Sequence, residues 1–197
     1  MAATASRASH TDSRQPLVLD AAARLFRSQG FEGTSVRDIA RAVGILPGSL
    51  YCHFATKEAL LTAVYVRGVE QIIQAVESAV AGHADPWDRL EAACVAHLEA
   101  ILRDDDYAQV VVRVRPSDAP AAEAELIALR NRYEALLAGL VKALPLPRST
   151  DRGALRLMLI GALNWSQTWY RPDGRFNPRT IARKFTALLR QGQEVSA

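Results

Sequence analysis

Cysteine is scarce in this chain. Its 197 residues hold two, Cys52 and Cys94, with no Cys-x-x-Cys pair and no metal-type Cys/His spacing. A disulfide framework or a structural zinc site needs more ligands at short spacings, so neither organises this fold. Cys52 reads as a plain reduced thiol. No apolar run approaches the roughly 20 residues that span a bilayer. The N-terminus, rich in Ala, Ser, Thr and Arg, has no apolar h-region, so the reading is a cytoplasmic protein without a signal peptide. A glycine-rich phosphate loop and an evident nucleophile–base pair are also missing, and the histidines are scattered. The expectation is a protein that is not an enzyme and needs no metal or cofactor. What the chain has instead is 49% hydrophobic and 23% charged residues, the balance of a soluble globular protein. Its net charge of +3 permits nucleic-acid binding without demanding it.

The informative stretch runs from Thr34 to Lys57. Ser35 is a natural helix N-cap, and Asp38 three residues later completes a capping box and suits the positive end of the helix. Ile39, Ala40 and Val43 repeat at helical spacing, and Gly44 sits where the chain must turn sharply. Leu46-Pro47-Gly48 restarts a helix with Pro47 in its first turn. Leu50 and Phe54 return to the core, which leaves Pro47, Gly48, Ser49, Tyr51 and His53 facing outward. This is the pattern of a helix-turn-helix whose second helix is presented to a groove. An ordinary helical hairpin has the same spacing.

Residues 1–13 read as a disordered arm. Helix 1 spans about 14–29, with Leu19, Ala22, Ala23 and Phe26 on one stripe, and ends at Gly30. Helix 4 runs from about Lys57 to Ala81 and links the first domain to the second; Gly68 along it reads either as a weak point or, as isolated helical glycines more often are, as simply tolerated. Asp85-Pro86 opens helix 5. The valines between Tyr107 and Arg115 would suit a strand, but no partner strand exists, so a helix is expected. Three further helices follow, over about 121–144, 150–170 and 178–191. Helix 8 is apolar around most of its circumference, from Leu155 to Tyr170, and must be buried on two sides. In a chain this size the second side is another subunit, and Gly153, Gly161 and Ala162 let a partner approach closely. The fold class is therefore all-α, with domains at 14–56 and 57–197.

The segments G-T-S-V-R-D-I-A and G-S-L-Y-C-H-F-A-T-K-E-A-L resemble the DNA-binding region of the TetR family of bacterial one-component regulators. The resemblance implies a three-helix DNA-binding domain followed by a helical ligand-binding and dimerisation domain. It also implies a homodimer that represses by binding a near-palindromic operator and is released by a small molecule. The implied DNA contacts are Ser35, Val36, Arg37, Leu46, Pro47, Gly48, Ser49, Tyr51, His53 and Lys57, with Ser35, Arg37 and Lys57 on phosphates. The family usually has Ser or Thr near Leu46 to cap the recognition helix; leucine cannot cap. Implied dimer contacts are Leu155, Met158, Ala162, Phe185 and Leu188 on helices 8 and 9.

Polar and aromatic residues that interrupt the stripes of the middle helices are the candidate effector contacts: Trp87, His97, Tyr107, Arg113, Asn164, Trp165 and Trp169. For each of them the commoner role of such a residue is core or interface filler. G-I-L-P-G-S-L-Y and A-L-N-W-S-Q-T-W-Y-R-P-D-G-R-F further resemble the branch that controls steroid and fatty-acid breakdown, which implies an acyl-CoA effector. That branch can carry an arginine one turn before the Trp165 position. Gly161 stands there in this chain, leaving Arg113 and Arg115 to supply positive charge. Two rivals stay open: a helical acyl carrier or enzyme with a structural hairpin, and a DNA-binding regulator that activates or needs no ligand.

Overall fold

Local capping chemistry decides where the N-terminal helices begin and turn. The computed structural model describes residues 14–194, so the arm expected over 1–13 lies outside the described residues. Helix α1, Gln15–Gln29, ends at Gly30, which takes φ +75°. Helix α2, Val36–Ala42, starts with the reciprocal capping box: Asp38 N–H donates to Ser35 Oγ, and Ser35 N–H donates to Asp38 Oδ2. After α2 the chain reverses at Gly44, φ +68°, a backbone shape that only glycine adopts freely. Helix α3, Pro47–Tyr51, is short, and its N-cap residue Leu46 makes no side-chain cap, as its chemistry requires. Helix α4, Lys57–Val80, follows.

Past α4 come α5 (Pro86–Leu102), α6 (Asp106–Arg113), two 3-10 turns, α7 (Glu123–Ala143), α8 (Arg152–Trp169) and α9 (Pro178–Glu194). Asp85 caps α5 by accepting from the N–H groups of Trp87 and Asp88. The valine run is the helix α6, and no strand occurs among the described residues. The fold is all-α.

The described chain divides into two compact units, one of residues 14–68 with 106–129, the other of 69–105 with 130–194. In the first unit α1 packs on α2 and α6, and α2 packs on α3. Its core holds Val18, Phe26, Ile39, Leu50, Leu60, Leu61 and Tyr65, all at most 1% exposed. Val18, rather than Leu19, is the fully buried member of the α1 stripe; Leu19 is half-buried. Gly68 is no weak point. A Cβ there would lie 2.5 Å from the Tyr107 carbonyl oxygen, so this glycine lets α4 and α6 touch backbone to backbone.

In the second unit α5 packs on α9 and α8. Leu90, Cys94, Leu98, Ile101, Leu159 and Leu163 form its buried centre. Arg152 at the start of α8 donates to the carbonyls of Val141, Leu144 and Leu146, satisfying acceptors at and just past the C-terminal end of α7. No helix among the described residues is long and apolar enough to cross a membrane.

Candidate nucleic-acid interface and effector site

The helix-turn-helix presents one face by burying the other. Leu50 is fully buried and Phe54 nearly so, which anchors α3. Tyr51, one residue on, is 53% exposed, Gly48 and Ser49 are exposed, and Pro47 and His53 are half-buried. Leu46 stands out at 76% exposure at the open start of α3. Ser35 and Arg37 are exposed at the first turn of α2, and Val36 is half-buried. The Ser35 hydroxyl and backbone N–H hold the Asp38 carboxyl below its usual pKa. Arg41 pairs with the same carboxylate at 3.2 Å while staying largely exposed, and sequence reasoning missed it as a further cation on this face. Cys52 is exposed beside the reading residues.

Lys57 is engaged differently from a free phosphate clamp. Its ammonium donates to the Phe31 carbonyl at 2.9 Å and lies 4.0 Å from the centre of the Phe31 ring. It braces the turn after α1 against the start of α4. Thr56, not singled out from sequence, caps that start by accepting from Ala59 N–H.

The expected effector contacts fall into separate groups. His97 is 2% exposed on α5. Asn164 Oδ1 can only accept, so His97 Nε2 carries the proton and donates to it at 3.0 Å. Nδ1 then accepts from the Tyr133 hydroxyl at 2.7 Å, and the two rings stack with centroids 5.5 Å apart. Burial pushes the imidazole down to about 4, partly countered by the Asn164 bond, so His97 is neutral near pH 7. Burial likewise raises Tyr133 above the usual phenol range and pushes Cys94 up to about 12, with Glu91 adding to the latter. Tyr133 had no sequence signal; it lies within an ordinary apolar stripe of α7. The Oε1 of Gln167, on α8, is buried with no hydrogen-bond partner among the described residues.

Trp165 and Trp169 do not join this core. They are 68% and 45% exposed, with Leu157 and Met158 both at 57% and Ala162 exposed on the same helix. Leu188 on α9 is 65% exposed and Phe185 half-buried. Leu155, expected on the outer face, is 6% exposed and packs inside its own chain, because it lies about a sixth of a turn from Met158, on the side shared with the buried Leu159 and Ser166. Trp87 is buried at the first turn of α5, with the Arg190 guanidinium 6.0 Å from its ring centre. Tyr107 and Arg113 belong to the first unit. There the Tyr107 hydroxyl is taken up by Asp20 and Arg67, and Arg113 is exposed. The second unit also has an open groove of about 340 Å³ beside α5 and α9. Both of its arginines are already paired, Arg183 with Glu91 at 3.0 Å and Arg179 with Glu99 at 3.7 Å.

Comparison with known proteins agrees with this geometry. Residues 18–64 match the family described as bacterial regulatory proteins, tetR family, and residues 83–193 match the tetracyclin repressor-like C-terminal domain. The chain belongs to the TetR family of transcriptional regulators. It is 29% identical over 194 residues to the HTH-type transcriptional repressor KstR2 of Mycobacterium tuberculosis, covering 94% of this chain and 95% of that one. With KstR2 of Rhodococcus jostii it shares 30% over 186 residues, 91% and 90% of the two chains. Among solved structures it resembles AibR in complex with isovaleryl coenzyme A and operator DNA, at 27% identity and a TM-score of 0.77, covering 89% of this chain and 97% of that one. Family membership makes the chain a regulator and not an enzyme, which removes the carrier-or-enzyme alternative.

Proposed function

We propose that the chain is a homodimeric repressor that reads a near-palindromic operator through α2 and α3 and leaves it when an acyl-CoA binds the second unit. The observation that carries the DNA reading is the split at Leu50 and Tyr51. One residue locks α3 into the core and the next stands out with Gly48 and Ser49. Short side chains beside one exposed phenol suit close approach to base edges, while Arg37 and Arg41 lie where phosphates pass.

Dimerisation rests on the exposed apolar face of α8 and α9. Met158, Trp165, Trp169 and Leu188 are too much apolar surface to leave to water in a lone chain. Two such faces form a four-helix contact, and a two-fold dimer places two recognition helices on successive turns of DNA. The effector class rests on AibR, whose structure holds isovaleryl coenzyme A, and on the similarity to KstR2. The buried acceptor of Gln167 is the kind of group that a bound molecule or a partner satisfies.

The test begins with a duplex selected from random sequence by the full-length protein. Affinity is then measured with acyl-CoAs of several chain lengths, with free coenzyme A and with free fatty acid. At least one acyl-CoA should weaken binding while both free species do not. Affinity that ignores the whole thioester series would remove the effector assignment. Steep weakening of the complex with added salt is expected from its phosphate contacts.

A further inference from the structure

We infer that Asp20, Tyr107 and Arg67 form a positioning node through which α6 fixes the pose of α1, and so sets DNA affinity from outside the reading face. The inference rests on the DNA-binding function proposed above.

The Tyr107 hydroxyl donates to Asp20 Oδ1 at 2.6 Å and accepts from Arg67 Nη1 at 3.0 Å. The Arg67 guanidinium lies 4.4 Å from the Tyr107 ring centre and 3.6 Å from the Asp20 carboxylate. Three helices thus meet at one phenol: α1 through Asp20, α4 through Arg67 and α6 through Tyr107. Arg27 of α1 and Asp106 of α6 add a second pair at 2.8 Å.

Two features separate this node from an ordinary stabilising cluster. Its contacts are directional. Apolar packing tolerates small slides between helices, whereas a phenol held between a carboxylate and a guanidinium fixes register and rotation. Its place in the chain is also particular. The chain passes between the two compact units after Gly68, Asp105 and Leu129. Arg67 and Tyr107 lie within two residues of two of those crossings. Gly68 tightens it further, because α4 and α6 touch there with no side chain between them. From α6 the path to the reading face is short: α6 packs on α1, α1 on α2, and α2 on α3.

The test compares wild type, Tyr107→Phe and Asp20→Asn in the full-length protein. Affinity for the selected duplex is read by fluorescence anisotropy, thermal unfolding by calorimetry, and amide hydrogen exchange over residues 35–54 without DNA. A bond that only stabilises would lower Tm, yet both proteins stay almost fully folded at 25 °C and bind alike. A positioning bond changes the folded state itself. Tyr107→Phe is expected to weaken DNA binding about tenfold and to speed exchange over 35–54, the scale of one charge-assisted hydrogen bond. Asn keeps an acceptor for the phenol, so Asp20→Asn should fall between wild type and Tyr107→Phe. Unchanged affinity or unchanged exchange over 35–54 in a folded Tyr107→Phe protein overturns the inference; should that variant not fold, Asp20→Asn is judged in the same way. If the wild type selects no duplex at all, it is the DNA-binding function that fails, and the exchange measurement still decides the node.

Discussion

The Tyr133 hydroxyl meets His97 Nδ1 at 2.7 Å inside the second unit, and Asn164 holds the other ring nitrogen. The imidazole is therefore closed on both sides by neutral partners, with no carboxylate to welcome a second proton. Its folded pKa of about 4 lies below the unfolded value of 6.5. Between those values the unfolded chain binds a proton that the folded chain refuses. Stability is therefore complete above about pH 6.5 and is lost as pH falls toward 4. The shift corresponds to roughly 3 kcal/mol. Denaturant unfolding of wild type and His97→Gln between pH 7 and 4 checks this: the difference between the two should shrink as pH falls, and parallel curves would contradict it.

Leu46 leaves the start of α3 without a side-chain cap. Leu46→Ser supplies the missing acceptor and should stabilise the protein by about 1 kcal/mol, read as a higher unfolding midpoint. At 76% exposure the leucine also has little to lose by leaving water for a thymine methyl. The same substitution should then weaken DNA binding while raising stability, so that the two effects have opposite signs. A variant that gains in both would remove Leu46 from the contact set.

Trp165 is the most exposed aromatic side chain of α8, at 68%. A glutamate there places a charge at the centre of the proposed dimer face, where nothing on α8 offers to pair with it. Sedimentation at micromolar concentration should show a dimer for wild type and a monomer for Trp165→Glu, with helical content unchanged. A variant that remains dimeric would move the interface elsewhere.

Much of the fold was legible because its signals are local. Ser35 and Asp38 are three residues apart, and the capping box they predict forms. Gly30 and Gly44 each take a positive φ at the turns their positions imply. Leu50, Tyr51 and Phe54 sort inward and outward by helical period alone. Contacts across long sequence separations were not legible. Asp20 is 87 positions from Tyr107, and Tyr133 is 36 from His97; nothing in either local pattern names its partner. Helix α8 shows a different limit. Its apolar residues surround the helix, so periodicity could not say which of Leu155, Trp165 and Trp169 face the chain's own core. Packing decides it: Leu155 turns inward and the two tryptophans outward.

The central claim is that the exposed face of α3 reads DNA, and Tyr51→Ala tests it most directly. Tyr51 is 53% exposed and adjoins the buried Leu50, so its removal should leave fold and dimer intact. Affinity for the selected duplex is measured by fluorescence anisotropy, with sedimentation to confirm the assembly. A loss of tenfold or more, about 1.4 kcal/mol, with an intact dimer is the predicted result. Unchanged affinity in a correctly folded dimer would contradict the account.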